Sequence, residues 1–280
     1  MTSPVDPRVA LAEKVAEADG VSPLNEASRI AVSAGEAARV DEVVRDDGTV
    51  VGVAFAAADA PVELYVAPSH RRRGIGRSLL EDLRGRGERR FWAHGDLPAA
   101  QGLAQSAGLT ASRTLLVLER DTASPLPAER PVDGVVLRTW RDADAAGLLA
   151  VNARAFASHP EQGAMDEADL RARMAQPWFD PEGLFVAERD GEVVGFHWTK
   201  IDPAPAQGGD VGEVYVVGVD PSEQGRGLGK ALTLRGLHHL VGTGVARIDL
   251  YVEGDNTPAL ATYHGLGFVE AARDVLYDAG

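Results

Sequence analysis

Two stretches of the chain combine closely spaced glycines with basic side chains, and that combination suits the holding of a phosphate. The first is RRRGIGRSLL, Arg71 to Leu80, and the second is QGRGLGKAL, Gln224 to Leu232. A loop that enters a helix offers backbone N–H groups without intrahelical partners, plus the positive end of the helix dipole. Glycines remove Cβ atoms, so a phosphate approaches those donors closely. In the second stretch the cradle would be Gln224, Gly225, Arg226, Gly227, Leu228, Gly229 and Lys230. In the first it would be Arg72, Arg73, Gly74, Ile75, Gly76 and Arg77. Glycines placed only for helix packing are the alternative. Against it, each loop follows an apolar strand, ending in Leu64-Tyr65-Val66 or Val217-Gly218-Val219, and each precedes an amphipathic run. Neither loop is a Walker loop or a dinucleotide fingerprint.

The elements around the loops repeat as well. Gly74 and Gly76 recur as Gly227 and Gly229, and Val66-x-Pro68 recurs as Val219-x-Pro221 at the same offset. Upstream, DDGTVVGVAF (Asp46 to Phe55) matches RDGEVVGFHW (Arg189 to Trp198), each a valine-rich β-hairpin around Asp-Gly. Downstream, AQSAGL from Ala104 matches YHGLGF from Tyr263. The order is constant and only loop lengths drift, which is the mark of duplication. Each copy reads as strand, helices, hairpin, long strand, glycine loop, helix, strand, helix. Between them Arg120 to Gly134 carries three prolines and no hydrophobic period. The expected division is therefore residues 1–122, a linker at 123–134, and residues 135–280.

Composition narrows the classes. At 280 residues the chain accommodates two domains, each large enough for a core. A net charge of −14 argues against a general nucleic-acid binder, which would show a basic face. No apolar run spans a bilayer and no signal peptide is evident, so a cytoplasmic, monomeric protein is expected. With no cysteine, no disulfide or thiolate-ligated metal is possible. His159 and His197 lack partners at ligand spacing, so no metal site is expected.

The glycine loop after a strand ending in Val-x-Pro resembles the acyl-CoA pyrophosphate loop of the GCN5-related N-acetyltransferases. EGDNTPALATYHGLGF in the second copy is similar to that family's closing motif, and the resemblance covers nearly the whole chain. It implies two tandem folds of α/β type, each a mixed sheet with flanking helices, and acetyl-CoA as co-substrate, one molecule in each copy. Within the family the chain resembles tandem enzymes that acetylate the cysteinyl amine of a cysteine–glucosamine–inositol conjugate. A small-molecule amine is then the partner. Another amine, such as an aminoglycoside or a protein N-terminus, and a CoA-binding module without catalysis remain as alternatives.

The resemblance also assigns roles. Glu213 would take a proton from the substrate ammonium, unless it is only a solvated carboxylate at a strand start. Tyr263 would protonate the leaving thiolate, unless it is a packed aromatic with a bonded hydroxyl. Asn256, with Thr257, Pro258, Ala259, Leu260 and Ala261 behind it, would border the CoA, although Asn256 also suits a helix start. Glu26, Glu161, Lys200, Glu213 and Tyr251 would face the acceptor, unless Glu26, Glu161 and Lys200 are only solvated polar side chains. At the repeat offsets Glu213 falls on Ala60, Tyr263 on Ala104 and Asn256 on Leu97. Glu63 lies near but three residues later, on the other face of the strand. The expectation is two CoA-type sites, of which the second alone is equipped for chemistry.

Overall fold

The computed structural model describes residues 5–157, 160–203 and 209–280, with only the backbone given for residues 160 and 161. It forms two compact units. Unit 1 comprises the chain as far as Leu116, with Glu253–Asp255 and Ala272–Gly280; unit 2 comprises Val117–Val252 and Asn256–Ala271.

Unit 1 opens with helices α1 (Pro7–Asp19) and α2 (Glu26–Ala34). The hairpin β1 (Ala38–Asp46) and β2 (Thr49–Ala57) follows, then β3 (Val62–Val66), α3 (Ile75–Gly85), β4 (Arg90–Ala93) and α4 (Pro98–Ser106). Asp47 and Gly48 both have positive φ, as a tight two-residue hairpin turn requires. Alternation along β2 serves two cores. Val51, Val53 and Phe55 pack under α1 and α2, whereas Ala54 and Ala56 face α3. β1, β2 and β3 are antiparallel and β3 runs parallel to β4. The small alanines on the α3 side let that helix lie close to the sheet.

Strand β5 (Thr110–Asp121) leads into unit 2, followed by β6 (Val136–Thr139), α5 (Ala145–Ala155), α6 (Pro160–Gly163) and α7 (Glu167–Met174). Next come β7 (Leu184–Arg189), β8 (Glu192–Asp202), β9 (Val211–Val219), α8 (Leu228–Thr243), β10 (Arg247–Glu253) and α9 (Thr257–His264). The sheet order is β5-β10-β9-β8-β7-β6. α5 and α7 cover Phe196, Trp198 and Val216 on one face, and α8 covers the other through Leu228 and Leu232. Asp190 and Gly191 repeat the positive-φ turn of the first hairpin.

The last strand, β11 (Val269–Asp278), places its second half in unit 1, where Val275 to Asp278 pair antiparallel with Ala93 to Arg90 of β4. The expected order lacks β5 and β11, and the strand it expects at the opening of the first copy is not found among the described residues, where α1 comes first. The compact units also do not follow chain order, because residues 272–280 complete the first of them. The proline-rich stretch is anchored on unit 2: Glu129 pairs with Arg235, and Pro127 offers its carbonyl oxygen to His238, both on α8.

Candidate active site

The two glycine loops have the same local backbone. Arg72 and Gly225 both lie in the left-handed region at φ 62° and 76°, as do Gly74 and Gly227 at 87° and 82°. Gly74 and Gly227 are the residues preceding α3 and α8, and neither helix start has a side-chain cap. The first intrahelical bonds run from Ser78 N–H to the Gly74 carbonyl and from Ala231 N–H to the Gly227 carbonyl. The three N–H groups between are thus oriented outward at each helix start, and added Cβ atoms at Gly74, Gly225 and Gly227 would meet nothing within 4 Å. That is the donor set and clearance an anion needs.

Around the first loop a cleft of about 600 Å³ is lined by Leu64, Tyr65, Val66, Arg72, Gly74, Ile75, Gly76 and Arg77, but not by Arg73. Tyr65 turns its ring into the core and donates its hydroxyl to the Arg8 carbonyl. Arg71, whose repeat partner is Gln224, is engaged elsewhere: its guanidinium makes two 2.7 Å bonds to Asp19 at the end of α1. In unit 2, Arg226 pairs with Glu223, while Arg226 and Lys230 remain accessible at the loop. Gly218 has its own reason to be glycine, since a Cβ there would stand 2.4 Å from the Phe196 ring. Gly229 has ordinary clearance, its nearest neighbour being a Val219 methyl at 3.7 Å.

The strands before the loops differ. β9 has a bulge: Trp198 lies opposite Val216 and Thr199 opposite Val214, so Tyr215 is an extra residue in the register. β3 runs unbroken against β2 from Glu63 to Val66. Parallel pairing of β9 with β10 ends at Val214 and Leu250, which puts Glu213 one residue before the two strands part. Tyr251 is the next residue on β10 and is 54% exposed.

Glu213 and Lys200 are register partners across β9 and β8, and the Lys200 ammonium lies 3.7 Å from the Glu213 carboxylate. The Lys200 side chain is only 6% exposed and also reaches Asp202 at 2.9 Å. Asp249 stands beside Glu213 in the parallel register. Burial raises its carboxyl pKa, opposed by Arg247. Tyr263 lies on α9 with its ring edge-on to Phe268 at 5.8 Å. Burial pushes its hydroxyl up to about 12, so near neutrality it holds its proton and serves as a donor. Asn256 caps α9 by accepting the Ala259 N–H at 3.2 Å; Leu97, before α4, makes no such bond.

The remaining assigned positions lie on several elements. Glu26 is the exposed first residue of α2 in unit 1. Glu161 lies in α6 by backbone, and its side chain lies outside those described; His159 lies outside the described residues altogether. Thr257 to Ala261 form the first turns of α9. His197 is fully enclosed, bonded through Nδ1 to the Leu232 carbonyl, and burial pushes it down to about 4.

Sequence reasoning missed two clusters. Trp178 and Tyr215 enclose Lys200; Tyr215 was inferable because it shares a strand with Glu213, whereas Trp178 sits in an irregular segment. In unit 1, His94 is held between two carboxylates, with Nε2 2.6 Å from Glu63 and Nδ1 2.8 Å from Asp274. Glu63 is 1% exposed and also accepts the Asn25 N–H, while Asp274 accepts the Gly95 N–H. Burial opposes a charge on His94, but bonds to Asp274 and Glu63 outweigh it and hold the imidazole up to about 9. With both ring nitrogens engaged, His94 has no position left for a substrate proton.

Residues 151–268 match the model of the acetyltransferase (GNAT) family, and residues 42–108 match an acetyltransferase (GNAT) domain. A mycothiol acetyltransferase of Thermomonospora curvata is 49% identical over 98% of this chain and 94% of its own length. One from Nocardioides is 48% identical over 95% and 94%. Among solved structures, a GCN5-related N-acetyltransferase from Sphaerobacter thermophilus superposes with a TM-score of 0.73, 22% identity, and coverage of 99% and 94%. A tandem GNAT protein of the clavulanic acid biosynthesis pathway gives 0.67, 22%, 98% and 94%. The last two show the fold alone; the first two, with both halves matched and the loops and hairpins repeated, show that the chain belongs to the mycothiol acetyltransferases within the GNAT family of acetyl-CoA-dependent N-acetyltransferases.

Proposed function

We propose that the chain acetylates the cysteinyl amine of a cysteine–glucosamine–inositol conjugate, desacetylmycothiol, with unit 2 as the working half. The observation that carries this is the placement of Glu213 one residue before β9 and β10 part, on the strand that feeds the glycine loop. Outward N–H groups at Leu228, Gly229 and Lys230 hold the CoA pyrophosphate, which directs the pantetheine and thioester along β9 toward the parting strands. Glu213 accepts a proton from the ammonium of the acceptor, because only the neutral amine carries a lone pair. The amine nitrogen then attacks the thioester carbonyl carbon; the C–N bond forms, the nitrogen loses its surplus proton to solvent, the C–S bond breaks, and Tyr263 donates its proton to the departing thiolate and is reprotonated from solvent. Unit 1 holds a second CoA in its cleft without turning it over. The extra residue in β9 shifts the register, so Pro61 rather than Ala60 is the counterpart of Glu213, and Ala104 is that of Tyr263; neither side chain transfers a proton, and the nearby imidazole is locked.

Steady-state kinetics with acetyl-CoA and a panel of amines tests the reading. The cysteinyl conjugate should exceed aminoglycosides and peptide N-termini in kcat/KM by orders of magnitude. Equal rates across the panel would remove the acceptor assignment. CoA binding should saturate at two molecules per chain, and at one in Gly74→Glu.

A further inference from the structure

Lys200 is enclosed in a manner that simple pairing with Glu213 does not explain. Its ammonium lies 5.5 Å from the centroid of the Trp178 ring and 6.0 Å from that of Tyr215. Trp178 is braced edge-on against Tyr215 at 5.1 Å and tilted against the buried Trp198 at 5.9 Å. Tyr215 is fixed from α7, where Arg173 donates to its hydroxyl at 3.1 Å and lies 5.7 Å from its ring centroid. Tyr215 is also the bulge residue of β9, so the irregularity that precedes the glycine loop supplies one wall of this enclosure.

An ammonium on a four-carbon stem has many rotamers, and among the described residues two carboxylates lie within its reach. Asp202 is nearer, at 2.9 Å, and its side chain is 48% exposed; Glu213 is at 3.7 Å and 16% exposed. Attraction to the nearer, wetter partner would draw Lys200 outward. The ring faces draw it inward, since a cation is held by the negative face of an aromatic ring, most strongly by tryptophan. We propose that Trp178, with Tyr215, is a positioning element that keeps the Lys200 ammonium against Glu213 and so keeps that carboxylate ionised and able to accept a proton. The assignment of the base rests on the function proposed above; the electrostatic coupling does not. Among the described residues, the charged groups near Glu213 include Lys200 and Asp202 from β8, and Asp249 with its partner Arg247 from β10; Arg173 of α7 reaches Tyr215. Asp249 opposes ionisation of Glu213, and Lys200 favours it.

The test is a carbon-13 NMR titration of the Glu213 carboxyl in the full chain, its signal identified by loss in Glu213→Gln. Trp178→Met keeps apolar volume and removes the ring face; the midpoint should rise by roughly half to one pH unit. Trp178→Phe should restore it. In a Lys200→Met background, Trp178→Met should add nothing. A folded Trp178→Met with an unmoved midpoint, or one that shifts equally without Lys200, overturns the proposal. If Trp178→Met does not fold, Tyr215→Met tests the other wall with the same two outcomes. The pH–rate profile separates the readings: if Glu213→Gln keeps its acidic limb, Glu213 is not the base, while the titration still decides whether Trp178 acts through Lys200.

Discussion

The two glycine loops share their backbone conformation, yet the strands that lead into them do not. Arg72 stands in the left-handed region where its counterpart is Gly225, and the loop nevertheless turns the same way. β9 has an extra residue at Tyr215 and places Glu213 beside Lys200, whereas β3 has no bulge and buries Glu63 against His94. Phosphate gripping depends on main-chain N–H groups, so it tolerates a change of side chains. Proton transfer depends on individual side chains, so on the function proposed above Pro61 and Ala104, the counterparts of Glu213 and Tyr263, would be enough to remove it from one half. An anion site and a reaction site are therefore separable properties of one fold.

The sharpest way to break that comparison is to place a charge in each loop. Glu at Gly74 and Glu at Gly227 suffer the same positive-φ strain, so the pair controls for it. We expect Gly227→Glu to lower kcat/KM for acetyl-CoA by on the order of a hundredfold to a thousandfold, through charge repulsion at the pyrophosphate, and Gly74→Glu to leave substantial turnover. If the folded Gly74→Glu protein is dead and Gly227→Glu is active, the halves have been assigned the wrong way round. Tyr263→Phe comes next: kcat should fall roughly tenfold to a thousandfold with little change in acetyl-CoA affinity, because a single acid is removed. Unchanged kcat at saturation would end that role. Glu213→Gln should slow turnover by roughly a hundredfold and erase the acidic limb of the pH–rate profile, and a profile superimposable on the parent enzyme would exclude Glu213 as the base.

The other half offers a test of stability. His94 is held up to about 9, so it binds its proton more tightly folded than unfolded. That contribution, about 3 kcal/mol, is complete below the ordinary histidine range near 6.5 and is lost as pH rises through about 9. Urea denaturation should show this loss between those values, and His94→Gln should flatten it; a variant that keeps the slope would place its origin elsewhere. The smallest effect concerns the helix caps. Asn256→Ala should cost about 1 kcal/mol, and Leu97→Asn should gain about 0.5–1 kcal/mol at the matching helix of the other half. A loss of stability in both variants would mean that the starts of α4 and α9 are not equivalent.

Much of this was legible in the sequence. Asp-Gly turns and the glycine loops are local, and their φ requirements show directly in residue type. The resemblance makes Asn256 a CoA contact with a helix start as the alternative, and it is the alternative whose capping bond is present, while Glu213, Lys200 and the bulge share two adjacent strands. β11 was not legible because its partner in unit 1 lies about two-thirds of the chain length away, and nothing in VEAARDVLYD states which sheet it will join. For the same reason Glu63 read only as a displaced carboxylate. Its meaning depends on His94 and Asp274, the latter 180 residues from the histidine it binds. Trp178 gave no signal, since an irregular segment has no period from which its direction can be inferred.

The placement of Ala272–Gly280 in unit 1 has a consequence for synthesis on the ribosome. Chains emerge from the N-terminus, and domains usually fold as they appear. Here β4 is exposed long before Val275 to Asp278 exist to pair with it, and His94 and Glu63 wait as long for Asp274. The half that is made first is thus the half that must be finished last. Until then it presents an open strand edge, a template for pairing with other chains, and a nascent protein stalled or clipped before residue 272 would show its damage in the N-terminal unit.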